Sequence, residues 1–196
     1  MDKIDIVEES VGDLEAYGAV PIAFEVRTIF DVKVMDGGLG GIALSERVVE
    51  TPYVKDYDAY DGGPARWAER WDISNWGVIS AFLKDRRVGG AVVAYDTAGV
   101  YKLEGRKDMA AVWDLRVHPA HRHMGIGSRL FTEAVAWAKA KKCCLLEVET
   151  QNINVPACRF YTKQGCMLGL INRYAYREFP NEVELVWYME LGLPEE

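Results

Sequence analysis

Short hydrophobic runs separated by glycine-rich or polar breaks recur over much of the first 117 residues, which is typical of β-strands. The longest such run, FEVRTIFDVKV, is rich in β-branched and aromatic residues and ends at the glycine-rich break DGGLGG, which predicts a turn. Six segments are predicted as strands on this basis: Ile4–Val7, Phe24–Val34, Ile42–Glu50, Gly77–Leu83, Val88–Tyr95 and Ala110–Val117. Brief helices are expected at Asp13–Tyr17 and Arg66–Trp71, and the rest of Tyr53–Trp76 is expected to be irregular.

The pattern changes after residue 124. Between Gly125 and Lys142 the apolar residues recur at helical spacing, at Ile126, Leu130, Phe131, Ala134, Val135, Trp137 and Ala138. A strand at Cys144–Thr150, a helix at Asn154–Gln164 and strands at Met167–Tyr176 and Val183–Leu191 follow. Strands before, between and after two helices predict an α/β (α+β) fold with a mixed sheet, in which Ala110–Tyr161 is a βαβα unit.

Length and composition favour one globular domain spanning residues 1–196. Apolar residues make up 49% of the chain, yet no apolar run approaches the roughly 20 residues that span a bilayer. The N-terminus is acidic and lacks the apolar region of a signal peptide, so a soluble, cytoplasmic protein is expected. The four cysteines show no metal-binding spacing and are expected to be reduced thiols, and no metal is predicted.

Charge is distributed unevenly. Residues 1–75 contain 16 acidic and 7 basic residues, whereas residues 76–196 contain 14 and 16. The overall net charge of −7 argues against nucleic-acid binding. An acidic front half suits a cationic substrate, and the alternative is that these acids merely keep the protein soluble.

The strongest chemical signal is the passage from the strand Val112–Val117 through HPAHRHMGIG into a helix. A helix N-terminus presents unpaired backbone N–H groups and the positive end of the helix dipole, which together bind anions. Glycine lets the backbone approach phosphate oxygens, and Arg122 adds a planar cation suited to phosphate. The motif R-x-x-G-x-G is neither a Walker loop nor a Rossmann fingerprint, and a plain helix start is the alternative.

The stretch WDLRVHPAHRHMGIGSRLFTEAVAWA resembles the acetyl-CoA-binding motif of the GNAT superfamily of N-acetyltransferases. The following LLEVETQNINVPACRFYTKQGC is similar to that family's next strand and helix. This resemblance implies a central mixed, mostly antiparallel sheet flanked by helices. Two residues depart from the family pattern: His123 stands where glycine is usual, and Cys166 replaces a common phenylalanine.

A closer resemblance links VVETPYVKDY, the LEVETQNINVPACRFY core and the VELVWYMEL ending to streptothricin acetyltransferases, which inactivate a cationic antibiotic by acetylating an amine. It implies a substrate-side half at residues 1–109 and an acetyl-CoA-binding half at residues 110–196. The implied activity is transfer of acetyl from acetyl-CoA to a primary amine of a cationic small molecule. A protein or peptide N-acetyltransferase and a non-catalytic acetyl-CoA sensor remain alternatives, and a homodimer stays open.

The resemblance also implies roles for individual residues. Asn154 would bond a pantetheine amide, and the Tyr161 hydroxyl, protonated at neutral pH, would donate a proton to the departing thiolate. Seven residues separate the two, so both lie on one helix face with Ala157. The remaining cofactor contacts are expected from the strand backbone, the loop and the second helix, at Leu115, Arg116, Val117, Arg122, His123, Met124, Gly125, Ile126, Gly127, Ser128 and Phe160.

The general base is expected among the carboxylates of two neighbouring strands. Glu149 and Asp114 are the candidates, and Glu147 shares a strand face with Glu149. An ammonium group beside several carboxylates binds well but resists deprotonation, so a water chain is a further route.

Substrate contacts are expected outside the shared core. Aromatic residues and acids crowd residues 53–76, a composition that suits an extended amine. The alternative is a surface loop held in place by its aromatic side chains. The predicted substrate-binding residues are Phe24, Glu25, Tyr57, Asp58, Trp67 and Trp71.

Overall fold

The computed structural model describes residues 3–192, except for the side chain of residue 61. Seven strands form one mixed sheet in the order β1-β4-β5-β6-β7-β9-β8, and β2 and β3 form a separate two-stranded sheet. The strands are β1 Ile4–Glu9, β2 Phe24–Val34, β3 Ile42–Lys55, β4 Gly77–Leu83, β5 Arg86–Tyr95, β6 Met109–Val117, β7 Leu145–Gln151, β8 Met167–Asn172 and β9 Glu184–Glu190. The α-helices are α1 Leu14–Gly18, α2 Asp58–Asp61, α3 Ile126–Ala140 and α4 Val155–Lys163.

The predicted fold class is confirmed. Antiparallel pairing joins β1 to β4, β4 to β5, β5 to β6 and β8 to β9, whereas β6 and β7 are parallel. A parallel pair requires a crossover, and α3 provides it between β6 and β7.

The chain forms two compact units. Within the described range, the first contains residues 3–23, 56–148 and 189–192, and the second contains residues 24–55 and 149–188. Each unit contains residues of both predicted halves, the substrate-side half at 1–109 and the acetyl-CoA-binding half at 110–196. The single domain with halves at 1–109 and 110–196 therefore stays a prediction.

In the first unit, α3 packs against β4, β5 and β6. Its buried face consists of five of the residues that the helical period singled out, namely Ile126, Leu130, Phe131, Ala134 and Ala138. Burying an apolar side chain of this size is worth about 1.5–3 kcal/mol, so this face holds the helix on the sheet. Four tryptophans pack together in the same unit: Trp67, Trp71, Trp76 and Trp113.

In the second unit, β2 and β3 pair along their length, with a register shift between Val26 and Thr28. Val26 and Ile29 pack against Ile153, which lies between β7 and α4. The main chain of Asn152 also donates to the Val183 carbonyl at 2.9 Å.

Several element bounds differ from the predictions by one or two residues, and four further differences are larger or change the type of element. β3 continues to Lys55, so Tyr53 lies in a strand, and α2 was not predicted because four residues are too few to show a period. The helix expected at Arg66–Trp71 is a 3₁₀ segment, Pro64–Glu69. β8 ends at Asn172 rather than Tyr176, because the Asn172 side chain accepts the Tyr174 N–H at 3.0 Å and turns the chain.

Candidate active site

The predicted anion loop leads from β6 into the N-terminus of α3. Gly125 is the N-cap of this helix, and no side chain caps the helix there. Gly125 has φ +80°, and a Cβ built on it would meet no atom within 4 Å among the described residues, apart from its chain neighbours and the helix's own backbone. The open space at Gly125, next to helix N–H groups without a side-chain cap, fits an anion approaching the backbone.

His123 also has a left-handed conformation, with φ +64°. Non-glycine residues rarely adopt this region, because Cβ crowds the backbone there. The family's usual glycine would therefore suit this position, and His123 adopts the left-handed conformation in its place. His123 and Met124 are both exposed.

Arg122 binds the protein's own backbone. Its Nε donates to the Val117 carbonyl at 3.1 Å and its Nη2 to the Ala23 carbonyl at 3.0 Å. Burial lowers the pKa of this guanidinium. These bonds hold the loop, and a contact from Arg122 to phosphate stays a prediction.

His118 shapes the start of the same loop. The ring Nδ1 of His118 accepts the Ala120 N–H at 3.2 Å. The main-chain N–H of His118 donates to the Val88 carbonyl at 2.8 Å. Leu115 and Val117 on β6 lie opposite Ala91 and Gly89 in the pairing register. The predicted use of their backbone N–H groups stays a prediction.

Asp114 belongs to a buried hydrogen-bonded network. Its carboxylate accepts the Tyr17 hydroxyl at 2.5 Å and two N–H groups of Arg116 at 2.8 and 2.7 Å. Arg116 also binds both carboxylate oxygens of Asp58 at 2.8 and 3.0 Å, and its side chain is fully buried. A carboxylate engaged in this way favours a structural role over a catalytic one.

The network sets the protonation states of its members. Burial, followed by the Asp114 charge, raises the pKa of Tyr17 well above its ordinary value, so its hydroxyl remains a donor. Burial disfavours the charged form of Arg116, but the charge and hydrogen bonds of Asp114, the hydrogen bonds of Asp58 and the nearby Tyr17 together raise its pKa. Asp58 and Arg116, predicted as substrate and cofactor contacts, thus bind each other through their side chains.

The aromatic residues predicted to hold substrate lie largely in the core. Trp67 is 3% exposed, and its indole Nε1 has no hydrogen-bond partner among the described residues. Trp71 is partly buried and stacks on Trp76 with ring centroids 6.2 Å apart. These contacts favour the alternative that aromatic side chains hold this segment in place, and Tyr57, half-buried, remains a candidate contact.

In the second unit, Asn154 is the N-cap of α4. Its side chain accepts the Ala157 N–H at 3.2 Å, so this residue has a structural function that the prediction of a pantetheine contact did not include. Tyr161 is 6% exposed and packs edge-on against Phe160, with ring centroids 5.1 Å apart. Helix α4 and its N-cap thus carry four of the predicted cofactor-binding residues: Asn154, Ala157, Phe160 and Tyr161. Their contacts to the cofactor stay predictions.

Glu149 is half-buried on β7, and its Oε1 accepts a hydrogen bond from the Tyr176 hydroxyl. Gln151 Nε2 contacts the same Glu149 oxygen at 3.4 Å and the Tyr176 hydroxyl at 3.2 Å. Glu147, by contrast, is 4% exposed. Of the three predicted carboxylates, Glu149 is therefore the most accessible one.

Phe24 and Glu25 start β2. Phe24 packs against the small cluster around Val26, and Glu25 is exposed and bonds Arg27 Nε at 2.9 Å. Their substrate contacts stay predictions.

A polar cavity of about 760 Å³, which the sequence did not predict, lies in the second unit. Residues of the β2–β3 hairpin and of the segment 173–183 line it, among them Asp31, Arg47, Tyr176 and Arg177. The only signal in the sequence was the dense mixture of tyrosine and arginine in RYAYRE after β8.

Two absences concern the described part of the chain. Residues 3–192 contain no group of three or more His, Cys, Asp or Glu side chains placed to hold a metal ion. None of the helices in this range has the length and hydropathy needed to cross a bilayer.

Comparison with known proteins gives consistent matches. The profile of the Acetyltransferase (GNAT) family matches residues 47–166. Streptothricin acetyltransferase of Escherichia coli is 31% identical over 195 residues, which is 97% of each chain. A solved Bacillus anthracis protein, classed provisionally as a streptothricin acetyltransferase and bound to acetyl coenzyme A, is 25% identical with TM-score 0.75, covering 96% of this chain and 99% of its own. A nourseothricin acetyltransferase structure, 24% identical with TM-score 0.73 over 96% and 99% of the two chains, shares the fold.

The fold, the loop and these matches define an acetyl-CoA-dependent acetyltransferase, as predicted. The chain belongs to the GNAT acetyltransferase family.

Proposed function

We propose that this enzyme transfers the acetyl group of acetyl-CoA to a primary amine of streptothricin or of a similar cationic antibiotic, and so confers resistance. The observation that carries the proposal is the 31% identity to a streptothricin acetyltransferase over 97% of both chains. A match of this extent includes the front half of the chain, where acyltransferases of one fold differ in substrate. The cytoplasm, where acetyl-CoA is made, is the proposed location.

The residues present fit acetyl-CoA. In the first unit, the loop at Gly125 would hold the pyrophosphate through backbone N–H groups, since no side chain occupies the space above it. In the second unit, Asn154 and Tyr161 on α4 would contact the pantetheine arm and the sulfur, as the family resemblance implies.

The transfer requires a neutral amine, and Glu149 is the proposed acceptor of the ammonium proton, directly or through water. The amine nitrogen then forms a bond to the thioester carbon, and the carbon–sulfur bond breaks. Tyr161 is the proposed donor of a proton to the leaving thiolate, and the proton that the nitrogen loses as the amide forms restores the Tyr161 hydroxyl. The products are the acetylated amine and CoA.

A thiol-release assay tests this proposal directly. With streptothricin and acetyl-CoA, the enzyme is expected to release CoA and to yield a product heavier by one acetyl group in mass spectrometry. A ribosomal-type peptide serves as the comparison acceptor. Turnover of the peptide with no turnover of streptothricin would refute the proposal in favour of a protein N-acetyltransferase.

A further inference from the structure

The polar cavity of the second unit has two walls. One wall is the β2–β3 hairpin, represented by Asp31 and Arg47, and the other is the segment 173–183 between β8 and β9. The segment contributes Tyr176, whose hydroxyl also donates to Glu149. One side chain therefore joins the cavity to the proposed base.

The segment that carries Tyr176 is fixed by buried contacts. Glu182 accepts a hydrogen bond from Lys55 Nζ at 2.7 Å, with side-chain exposures of 11% and 6%. Lys55 Nζ also lies 3.6 Å from the centroid of the Phe179 ring. The Asn152 side chain accepts the Val183 N–H at 2.8 Å. These contacts hold residues 179–183, the part of the segment that follows Tyr176.

Arginines outnumber carboxylates in the lining of the cavity. Asp31 is paired with Arg47, with 2.8 Å between its Oδ2 and the Arg47 Nε. Arg173 and Arg177 also line the cavity, and like charges repel. Carbonyl and hydroxyl groups of a ligand therefore fit this cavity better than its ammonium groups.

We propose that Tyr176, on one wall of this cavity, is the positioning residue that orients the Glu149 carboxylate toward the acceptor amine. The proposal rests on the proposed function. A glutamate side chain has three rotatable bonds, and hydrogen bonds from Tyr176 and Gln151 restrict them before substrate arrives. Preorganisation of this kind acts on the acceptor side of the reaction, so acetyl-CoA binding does not depend on it.

The test is a double-mutant cycle with Tyr176→Phe, Glu149→Gln and the double variant, measured with streptothricin. Tyr176→Phe removes one oxygen and is expected to lower kcat/KM for streptothricin by about 10- to 100-fold, the range that misorientation of a reacting group produces. Affinity for acetyl-CoA and the melting temperature are expected to stay near wild type. In the Glu149→Gln background the same change is expected to have little further effect, because the carboxylate that Tyr176 orients is gone. Tyr101→Phe, at an exposed tyrosine of the first unit, is the matched control and is expected to be neutral.

Three results would overturn the inference. Unchanged kcat/KM in Tyr176→Phe would remove its role, and effects that multiply fully in the double variant would show that Tyr176 acts independently of Glu149. A matched loss of acetyl-CoA affinity or of melting temperature would make Tyr176 a structural residue. A wild-type enzyme inactive on streptothricin would instead overturn the proposed function, and this inference with it.

Discussion

Replacing Asp114 by asparagine separates a structural aspartate from a catalytic one. The substitution keeps the shape of the side chain but removes the charge that faces Arg116. It replaces a carboxylate that accepts three hydrogen bonds with an amide that has one accepting oxygen and a donating NH2 group. Both partners are buried, with side-chain exposures of 5% for Asp114 and 0% for Arg116. Breaking one side of a buried ion pair costs about 3–5 kcal/mol, because the remaining charge is left without compensation.

The magnitude falls at the lower end of that range. Asp58 still offers Arg116 two contacts at 2.8 and 3.0 Å, although its side chain is 29% exposed. We therefore expect Asp114→Asn to lose about 3 kcal/mol of unfolding free energy. For a chain of this size that corresponds to a fall of about 6–12 °C in Tm.

Urea denaturation and thermal melts measure the stability, and thiol release at a temperature well below the melt measures kcat of the folded fraction. The control is Asp108→Asn, at an exposed aspartate paired with Arg106, for which little change in Tm is expected. If Asp114→Asn melts like wild type but loses 100-fold or more in kcat, the structural assignment is refuted and Asp114 is the base.

Three further predictions concern the loop, helix α4 and the thiols. Gly125→Ala is expected to lower the free energy of unfolding by about 1–2 kcal/mol, because the backbone of residue 125 is left-handed. Calorimetry is expected to show weaker acetyl-CoA binding. Unchanged affinity in a folded variant would exclude the loop as the pyrophosphate site. Asn154→Ala removes the helix cap and is expected to lower the free energy of unfolding by about 1 kcal/mol. Asn154→Asp keeps the cap and, if the amide binds pantetheine, loses only affinity for acetyl-CoA. Two variants of equal stability would contradict the capping role. Burial raises the pKa of Cys158 from 9.0 to about 11, so its thiol stays protonated and slow toward disulfide reagents at pH 8, whereas the half-buried Cys144 is expected to react first. Because the folded-state pKa is the higher one, the stabilising contribution of Cys158 is complete below about pH 9 and is lost as the pH rises toward 11; equal reaction rates for the two thiols in the native protein would contradict its burial.

Local patterns in the sequence determined most of the elements and the class of enzyme. The buried face of α3 follows from its 3.6-residue period, and Phe24–Val34 is a strand at the predicted bounds. The loop before α3 was visible because glycine at a helix start has a local cause, the backbone conformation and the approach of an anion. Such features depend on residues within one or two helical turns along the chain, and a sequence pattern predicts structure over that range.

Tertiary structure alone decided which polar side chains meet. Tyr17 and Asp114 are 97 residues apart, Lys55 and Glu182 are 127 apart, and Glu149 and Tyr176 are 27 apart. Arg116 is two residues from Asp114 on the same strand face, but nothing in the sequence near Asp114 indicates that a buried tyrosine engages its carboxylate. Composition placed tryptophans and acids together at residues 53–76, but packing decided that Trp67 lies in the core. The cavity beside Tyr176 depends on the β2–β3 hairpin lying near a segment more than 120 residues later in the chain, and a pairing over that distance leaves no periodic trace in the sequence.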